Sequence, residues 1–390
     1  MLRHARIPFV SYPYEWSFAM LRDAALLQLD LVLAALDEDM TLKDCSAFNV
    51  QWVGARPVFI DIASFTRLTP GEPWIGYRQF CQLFLYPLLL HAYKGVPFQA
   101  WLRGNLDGIE PDQFRRLMSA RDLLRPGVLT HVVVHGRMQH KYGASNRNVK
   151  RDLQRAGFGK ALVRANVAGM RKLVAGLPAP AEASGWTSYA TDNSYDREDD
   201  AAKVAFVEQA VASDRLRLVW DIGCNTGRFS RMAAAHAEYV VSSDADHAVI
   251  DALYRALGRE GVSNILPLVG NVANPSPGLG WRGAERRTLE ERGRPDLVLC
   301  LALIHHLVIS ANLPLAEVVE WLHGLGARLV IEFVTKDDPM VKRLLMQTTQ
   351  QHEDYEVASF EAELGRRYTI ERRAAVPSGT RILYDARPRA

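Results

Sequence analysis

Val219-Trp-Asp-Ile-Gly-Cys-Asn-Thr-Gly-Arg-Phe-Ser230 decides the fold of the larger part of this chain. Leu216, Leu218, Val219, Trp220 and Ile222 form the short apolar run of a buried strand, and Gly223 and Gly227 bound the turn that follows. Phe229, Met232 and Ala233 then begin a helical stripe. A strand entering a helix through such a turn brings backbone N–H groups close to a ligand, because glycine tolerates φ > 0 and carries no Cβ. The spacing Asp221-x-Gly223-x-x-x-Gly227 is not the three-glycine dinucleotide fingerprint.

Further strands follow in order. About twenty residues on, where a βαβ unit carries its ribose-binding acid, Tyr239-Val-Val-Ser-Ser-Asp244 reads as a strand ending in a carboxylate. Ile265-Leu-Pro-Leu-Val-Gly-Asn271 ends in an amide, Pro295 to Leu307 carries His305 and His306 after its apolar run, and Ala327-Arg-Leu-Val-Ile-Glu-Phe333 holds Glu332 near its end. Asp338 to Leu345 and Phe360 to Leu364 read as helices, and Tyr368-Thr-Ile-Glu-Arg372 with Thr380-Arg-Ile-Leu-Tyr384 as a closing strand pair.

These five segments, in this order, resemble the class I S-adenosylmethionine-dependent methyltransferases. The resemblance implies an α/β, Rossmann-like domain over 201–388 with seven strands, the closing pair including an antiparallel edge strand. It implies S-adenosyl-L-methionine as cofactor, with Asp221, Gly223, Asn225, Thr226 and Gly227 cradling its amino-acid portion and the backbone of the two glycines closest. Asp244 is then the acceptor for the ribose hydroxyls, Asn271 the partner of the adenine amino group, and Val272 and Leu301 the flanks of the ring. From the lead-in before the domain, Tyr189 or Tyr195 would cover the sulfonium, since an aromatic face attracts a cation; packing on the sheet is the alternative. Asp246, at the next helix start, reads as an N-cap.

Catalytic candidates are His305 and His306, either able to deprotonate an acceptor near neutral pH, and Glu332 as base or substrate anchor. The Asn-Pro-Pro-Tyr type motif of amino-methylating nucleic-acid enzymes is absent after the fourth strand.

Residues 1–175 are Leu-rich and helical in pattern, and 176–200 form a linker and lead-in. Within the first zone, Leu42-Lys-Asp44-Cys-Ser-Ala-Phe-Asn49, followed by Arg56-Pro-Val-Phe-Ile-Asp61, is similar to the catalytic loop and metal-binding aspartate of the protein-kinase and aminoglycoside-phosphotransferase superfamily. Helices over Leu21–Leu36 and Tyr77–Tyr93 and a small β-hairpin would suit a kinase C-lobe. Only 43 residues precede Asp44, too few for a nucleotide-binding N-lobe, and neither a glycine loop nor its strand lysine occurs. Asp44, Asn49 and Asp61 read equally as turn and cap residues of the hairpin. With Ser11-Tyr-Pro-Tyr-Glu-Trp16 and Trp74-Ile-Gly-Tyr-Arg-Gln-Phe-Cys81, nearly the whole chain resembles bacterial methyltransferases related to rhizobial host-specific nodulation proteins.

Composition sets the outer bounds. With 390 residues, 48% hydrophobic and 23% charged, the chain has room for two or three cores of a globular protein. Four scattered cysteines suggest neither zinc nor a disulfide framework, and with no signal-like start or membrane-span window the expected location is cytoplasmic. Net charge is +3, yet 115–172 holds fourteen Lys and Arg against Asp122 and Asp152. That block serves nucleic acid, an acidic membrane or an acidic partner, or is a solvated helical face; no aromatic series interleaves it for base stacking. Three functions stay open: methyl transfer to a small-molecule or carbohydrate-like acceptor, methylation of RNA or protein through the basic block, and a kinase-like phosphotransferase or non-catalytic cofactor-binding scaffold. No metal is expected and the oligomeric state is open.

Overall fold

The computed structural model describes residues 4–69, 71–134, 159–180, 197–350 and 352–389. The chain forms two compact units, one of Ser11–Trp52 and Arg56–Glu182, the other of Met1–Val10, Val53–Ala55 and Ala183–Ala390.

In the first unit, helix α1 (Phe18–Asp37) starts where the Ser17 side chain accepts from the Met20 amide. Strands β1 (Met40–Leu42), β2 (Val50–Val53), β3 (Arg56–Phe59) and β4 (Phe65–Arg67) make two small sheets, β1 with β4 and β2 with β3. Residues 77–94 are helical throughout, with a π-turn at Cys81–Leu85. Helix α2 (Lys160–Ala175) buries Val163, Val167, Met170 and Val174, one apolar stripe, and packs on α1.

The second unit holds α3 (Arg197–Ala212), then β5 (Leu216–Ile222), α4 (Arg228–Ala234), β6 (Ala237–Asp244), α5 (His247–Glu260), β7 (Ile265–Val269) and β8 (Leu297–Cys300). Helix α6 (Leu315–Gly324), β9 (Arg328–Val334), α7 (Pro339–Met346), α8 (Val357–Arg367), β10 (Tyr368–Ala375) and β11 (Arg381–Pro388) complete it. These strands form one seven-stranded sheet in the order β10-β11-β9-β8-β5-β6-β7. Strands β9, β8, β5, β6 and β7 run parallel, while β11 is antiparallel to both its neighbours. The sheet is the Rossmann-like α/β architecture expected of this half of the chain. One detail departs from expectation: the strand reversed against the rest, β11, lies one place in from the edge. Only residues 376–380 separate it from β10, so the two must pair as a hairpin, and β10 takes the edge.

Val219, Val240, Leu297, Leu299 and Val330 from four parallel strands meet Val207 and Val211 of α3 and Leu253 of α5 in a fully buried core. Strand order reverses between β5 and β8, so helices leave opposite faces there and open a crevice at the strands' carboxyl ends.

A buried ion cluster closes the far side. Arg328 at the start of β9 donates from Nε to Asp385 Oδ1 at 2.7 Å and from Nη2 to Oδ2 at 2.6 Å, and Asp385 on β11 is fully buried. The same guanidinium reaches Asp214 at 2.8 Å. Arg328→Ala should lower stability by about 3–5 kcal/mol, because the buried Asp385 loses its bidentate partner. Urea unfolding followed by tryptophan fluorescence measures it, and a loss under about 1 kcal/mol would mean that Arg372, at 2.9 Å from Asp385, suffices alone.

Candidate active site

A cavity of about 610 Å³ opens at the carboxyl edge of the parallel strands, in the range of small-molecule sites. Gly223 follows β5 on its wall, Asp244 and Ala245 end β6, and Gly270, Asn271 and Val272 follow β7. From the other side come Ala302, Leu303 and His306 after β8, and Met340, Arg343 and Leu344 on α7.

The glycine turn is built differently from the N–H cradle read in the sequence. The amides of Gly223 and Cys224 both donate to Ser243 O, at 2.8 and 3.0 Å, and Gly227 N donates to Cys224 O at 2.9 Å. Asn225 N donates to Asp244 Oδ2 at 3.0 Å, and Thr226 N to Asn225 Oδ1 at 2.7 Å. All five N–H groups of 223–227 are thus engaged within the protein. A loop built to hold phosphate leaves such groups free for the ligand; here each already has an acceptor within the protein. Gly223 (φ +75°) lines the cavity. Gly227 (φ +76°) does not: a Cβ there would lie 2.6 Å from Leu253 Cδ1, so its glycine is needed for packing on α5. Asn225 takes φ +48°, a conformation asparagine tolerates better than most residues, and Thr226 is exposed.

Asp221 lies below the cavity. It is 2% exposed and accepts from Ser230 Oγ at 2.6 Å. Burial pushes its carboxyl up to about 6 against the hydrogen bond from Ser230. Asp244 is on the wall, its Oδ1 accepting from Asp246 N at 3.0 Å, and burial raises its pKa. Asp246 caps α5, accepting from Ala248 N and Val249 N. Asn271 lines the cavity and turns its Oδ1 to Ala273 N at 2.9 Å, while Val272 lies beside it. Leu301 is a correction: it is buried in the core, and the wall at this point is Ala302 and Leu303. Ala302 adopts φ +50°, which moves the chain off the strand direction right after Leu301.

The three catalytic candidates separate. His306 lines the cavity, and burial lowers its imidazole to about 4, so it is neutral across the physiological range. His305 is fully buried behind it, ring centroids 4.2 Å apart, with neither ring nitrogen hydrogen-bonded among the described residues, and burial drives its pKa down. Glu332 is a second correction. It is fully buried and absent from the cavity wall, with Oε2 accepting from Lys203 Nζ at 2.6 Å and Oε1 facing Arg381 NH1 at 3.3 Å. Parallel-strand register put its side chain inside the domain, where a charge persists only if paired. Tyr189 and Tyr195 lie outside the described residues. Arg343, Met340 and Leu344 had a sequence signal only as members of an expected helix.

In the first unit, Asp44 Oδ1 accepts from Ser46 N at 3.0 Å. Asp61 Oδ1 accepts from Ala63 N at 3.1 Å, its Oδ2 accepts from Ser64 Oγ, and Asn49 Nδ2 donates to that same hydroxyl at 3.4 Å. These are the bonds of turn and cap residues. Lys160, Arg164 and Arg171 of the basic block pair with Asp39, Asp37 and Asp30 on or just past α1; residues 135–158 of that block lie outside the described residues.

Asp221 gives a pH test. Its carboxyl holds a proton up to about 6 in the folded chain, against an ordinary 3.8, so between those values the folded state binds more protons. Stability from this group is therefore greatest below about pH 4 and falls as pH rises through about 6. Asp221→Asn, which keeps an acceptor for Ser230, should remove that fall. Urea unfolding free energies of both proteins at pH 4.5 and 7 should diverge by about 2 kcal/mol, with the variant favoured at pH 7; parallel changes would contradict the assignment.

No protein-family model matches the chain. Among solved structures, N-methyltransferase NodS from Bradyrhizobium japonicum WM9 is similar over 50% of this chain and 99% of its own, at 13% identity and a TM-score of 0.37. Magnesium protoporphyrin IX methyltransferase (ChlM) from Synechocystis PCC 6803 with bound SAH is similar over 52% and 93%, at 19% identity and a TM-score of 0.36. Scores this low leave the fold to be read from the strand order itself. Nodulation protein NoeA of Rhizobium meliloti (strain 1021) is 35% identical over 386 residues, 98% of this chain and 81% of that protein. Identity sustained over that length, through both units, means that the chain belongs to the family of nodulation protein NoeA.

Proposed function

We propose that the chain is an S-adenosylmethionine-dependent methyltransferase acting on a small-molecule or carbohydrate-like acceptor. One observation carries it: Asp244 and Asn271 end adjacent parallel strands on one cavity wall, beside a glycine turn whose N–H groups are all hydrogen-bonded within the protein. Such a wall offers oxygen acceptors to hydroxyl and amine groups and has no nest for a pyrophosphate. The residues fit the cofactor: Asp244 accepts the ribose hydroxyls, Asn271 and Val272 meet the adenine, Gly223 allows close approach, and Ala302 and Leu303 flank the ring. Asp221 acts from beneath, holding the helix start through Ser230. Tyr195 is the proposed cover of the sulfonium.

When bound, S-adenosylmethionine supplies a methyl group on a sulfonium whose departure leaves a neutral thioether, so no general acid is required. The protein's part is positioning and exclusion of water. His306, neutral and on the wall, takes the acceptor's proton where one must leave. Support for a small acceptor comes from the size of the cavity, about 610 Å³, and from the pairing of Lys160, Arg164 and Arg171 within the first unit.

Asp244→Ala should weaken S-adenosylhomocysteine binding by about 1.5–3 kcal/mol in isothermal titration, while Asp44→Ala leaves it unchanged. Equal losses, or binding of Mg-ATP in place of the nucleoside, would reverse the assignment. With the acceptor in hand, kcat should rise through about pH 4 as His306 loses its proton and then stay level. His306→Ala should cost roughly 10²–10⁴-fold; an unchanged rate would remove it as the base.

A further inference from the structure

The cavity has one acid and one cation among its described lining residues, Asp244 and Arg343. They stand at opposite ends. Asp244 ends β6 and α7 follows β9, with β5 and β8 between, so three strand spacings, roughly 14 Å, separate the strand ends. Asp244 is assigned above to the cofactor, which leaves Arg343 on the acceptor side.

Nothing in its own helix neutralises Arg343. Residues three and four positions away are Pro339, Met340, Met346 and Gln347, all uncharged. The acids just before α7 are held by other cations: Asp338 lies 2.9 Å from Arg381, and Asp337 lies 3.9 Å from Lys342. No carboxylate among the described residues pairs with the Arg343 guanidinium. Arg343 is exposed at the mouth of the cavity, where the lining combines apolar Leu307, Met340 and Leu344 with polar Ser310 and Gln347. Its planar fork matches a carboxylate or phosphate with two parallel bonds.

We propose that Arg343 selects the acceptor, and that the molecule methylated carries an oxyanion, carboxylate or phosphate, on an apolar body that rests against Leu307, Met340 and Leu344. This deepens the methyltransferase reading and rests on it. Among the described residues a cationic acceptor has no acid to meet at this end of the cavity, and a neutral one leaves the Arg343 guanidinium to solvent. The anion also offsets the positive charge of the sulfonium across the cavity, so the two ligands favour each other's binding.

The full chain, incubated with a small-molecule extract of the cells that make it and methyl-tritiated S-adenosylmethionine, tests the proposal. Label should appear in compounds retained by an anion exchanger at neutral pH. Treatment with a phosphatase then separates the two oxyanions: loss of retention identifies a phosphate, persistence a carboxylate. Arg343→Ala should cut labelling at least tenfold and Arg343→Lys less, while the dissociation constant for S-adenosylhomocysteine stays within twofold of the parent. Label confined to neutral or cationic compounds, or undiminished labelling by Arg343→Ala, overturns the proposal. A protein that binds S-adenosylhomocysteine but labels nothing in the extract also overturns it, and leaves the cofactor assignment standing. Failure to bind S-adenosylhomocysteine at all defeats the methyltransferase reading itself.

Discussion

The second unit depends on how β5 is tied to β6 at their carboxyl ends. Parallel pairing sets Ile222 opposite Ser243, which delivers the Ser243 carbonyl to two amides of the following turn and the Asp244 carboxylate to a third. Those bonds shape the turn before any ligand arrives. They also determine its chemistry, because a turn whose amides are all engaged has little to offer an anion. What remains on the wall is oxygen: a carboxylate at Asp244, and beyond it the amide of Asn271.

A second constraint runs behind the cavity. Lys203 of α3, Glu332 of β9, Arg381 of β11 and Asp338, the N-cap of α7, form one buried chain of charges. Each is buried enough that an unpaired member would be costly, so the four elements are held in a single arrangement. Asp338 also accepts from Met340 N at 2.8 Å, so the cluster sets where α7, with Met340, Arg343 and Leu344, stands over the cavity. Glu332 contributes by position, at a distance from the chemistry proposed for the site.

The first unit uses charge in another way. The basic residues of α2 meet the acids of and beside α1 on an exposed seam whose apolar stripe lies beneath. Exposed pairs of this kind contribute little to stability, yet they lower the positive field that these residues would otherwise present. Charge counting along the sequence sees the cations of 115–172 and misses acids more than a hundred residues earlier.

By itself the sequence determined the strands of the second unit, their order along the chain and the residues at their carboxyl ends, because an apolar run bounded by turn residues is a local pattern. Asp244, Asn271 and Gly223 were legible for that reason, as was the Asp246 cap. Tertiary structure decided the rest. Whether Leu301 or Leu303 faces the cavity depends on a left-handed Ala302 that has no local signature. Whether Glu332 meets solvent or Lys203 depends on a helix 129 residues away. His305 and His306 are placed differently although they are neighbours, since successive side chains of a helical turn point about 100° apart and only His306 reaches the cavity. Burial, and with it charge state, is a property of what packs against a residue, and partners distant in sequence supply it.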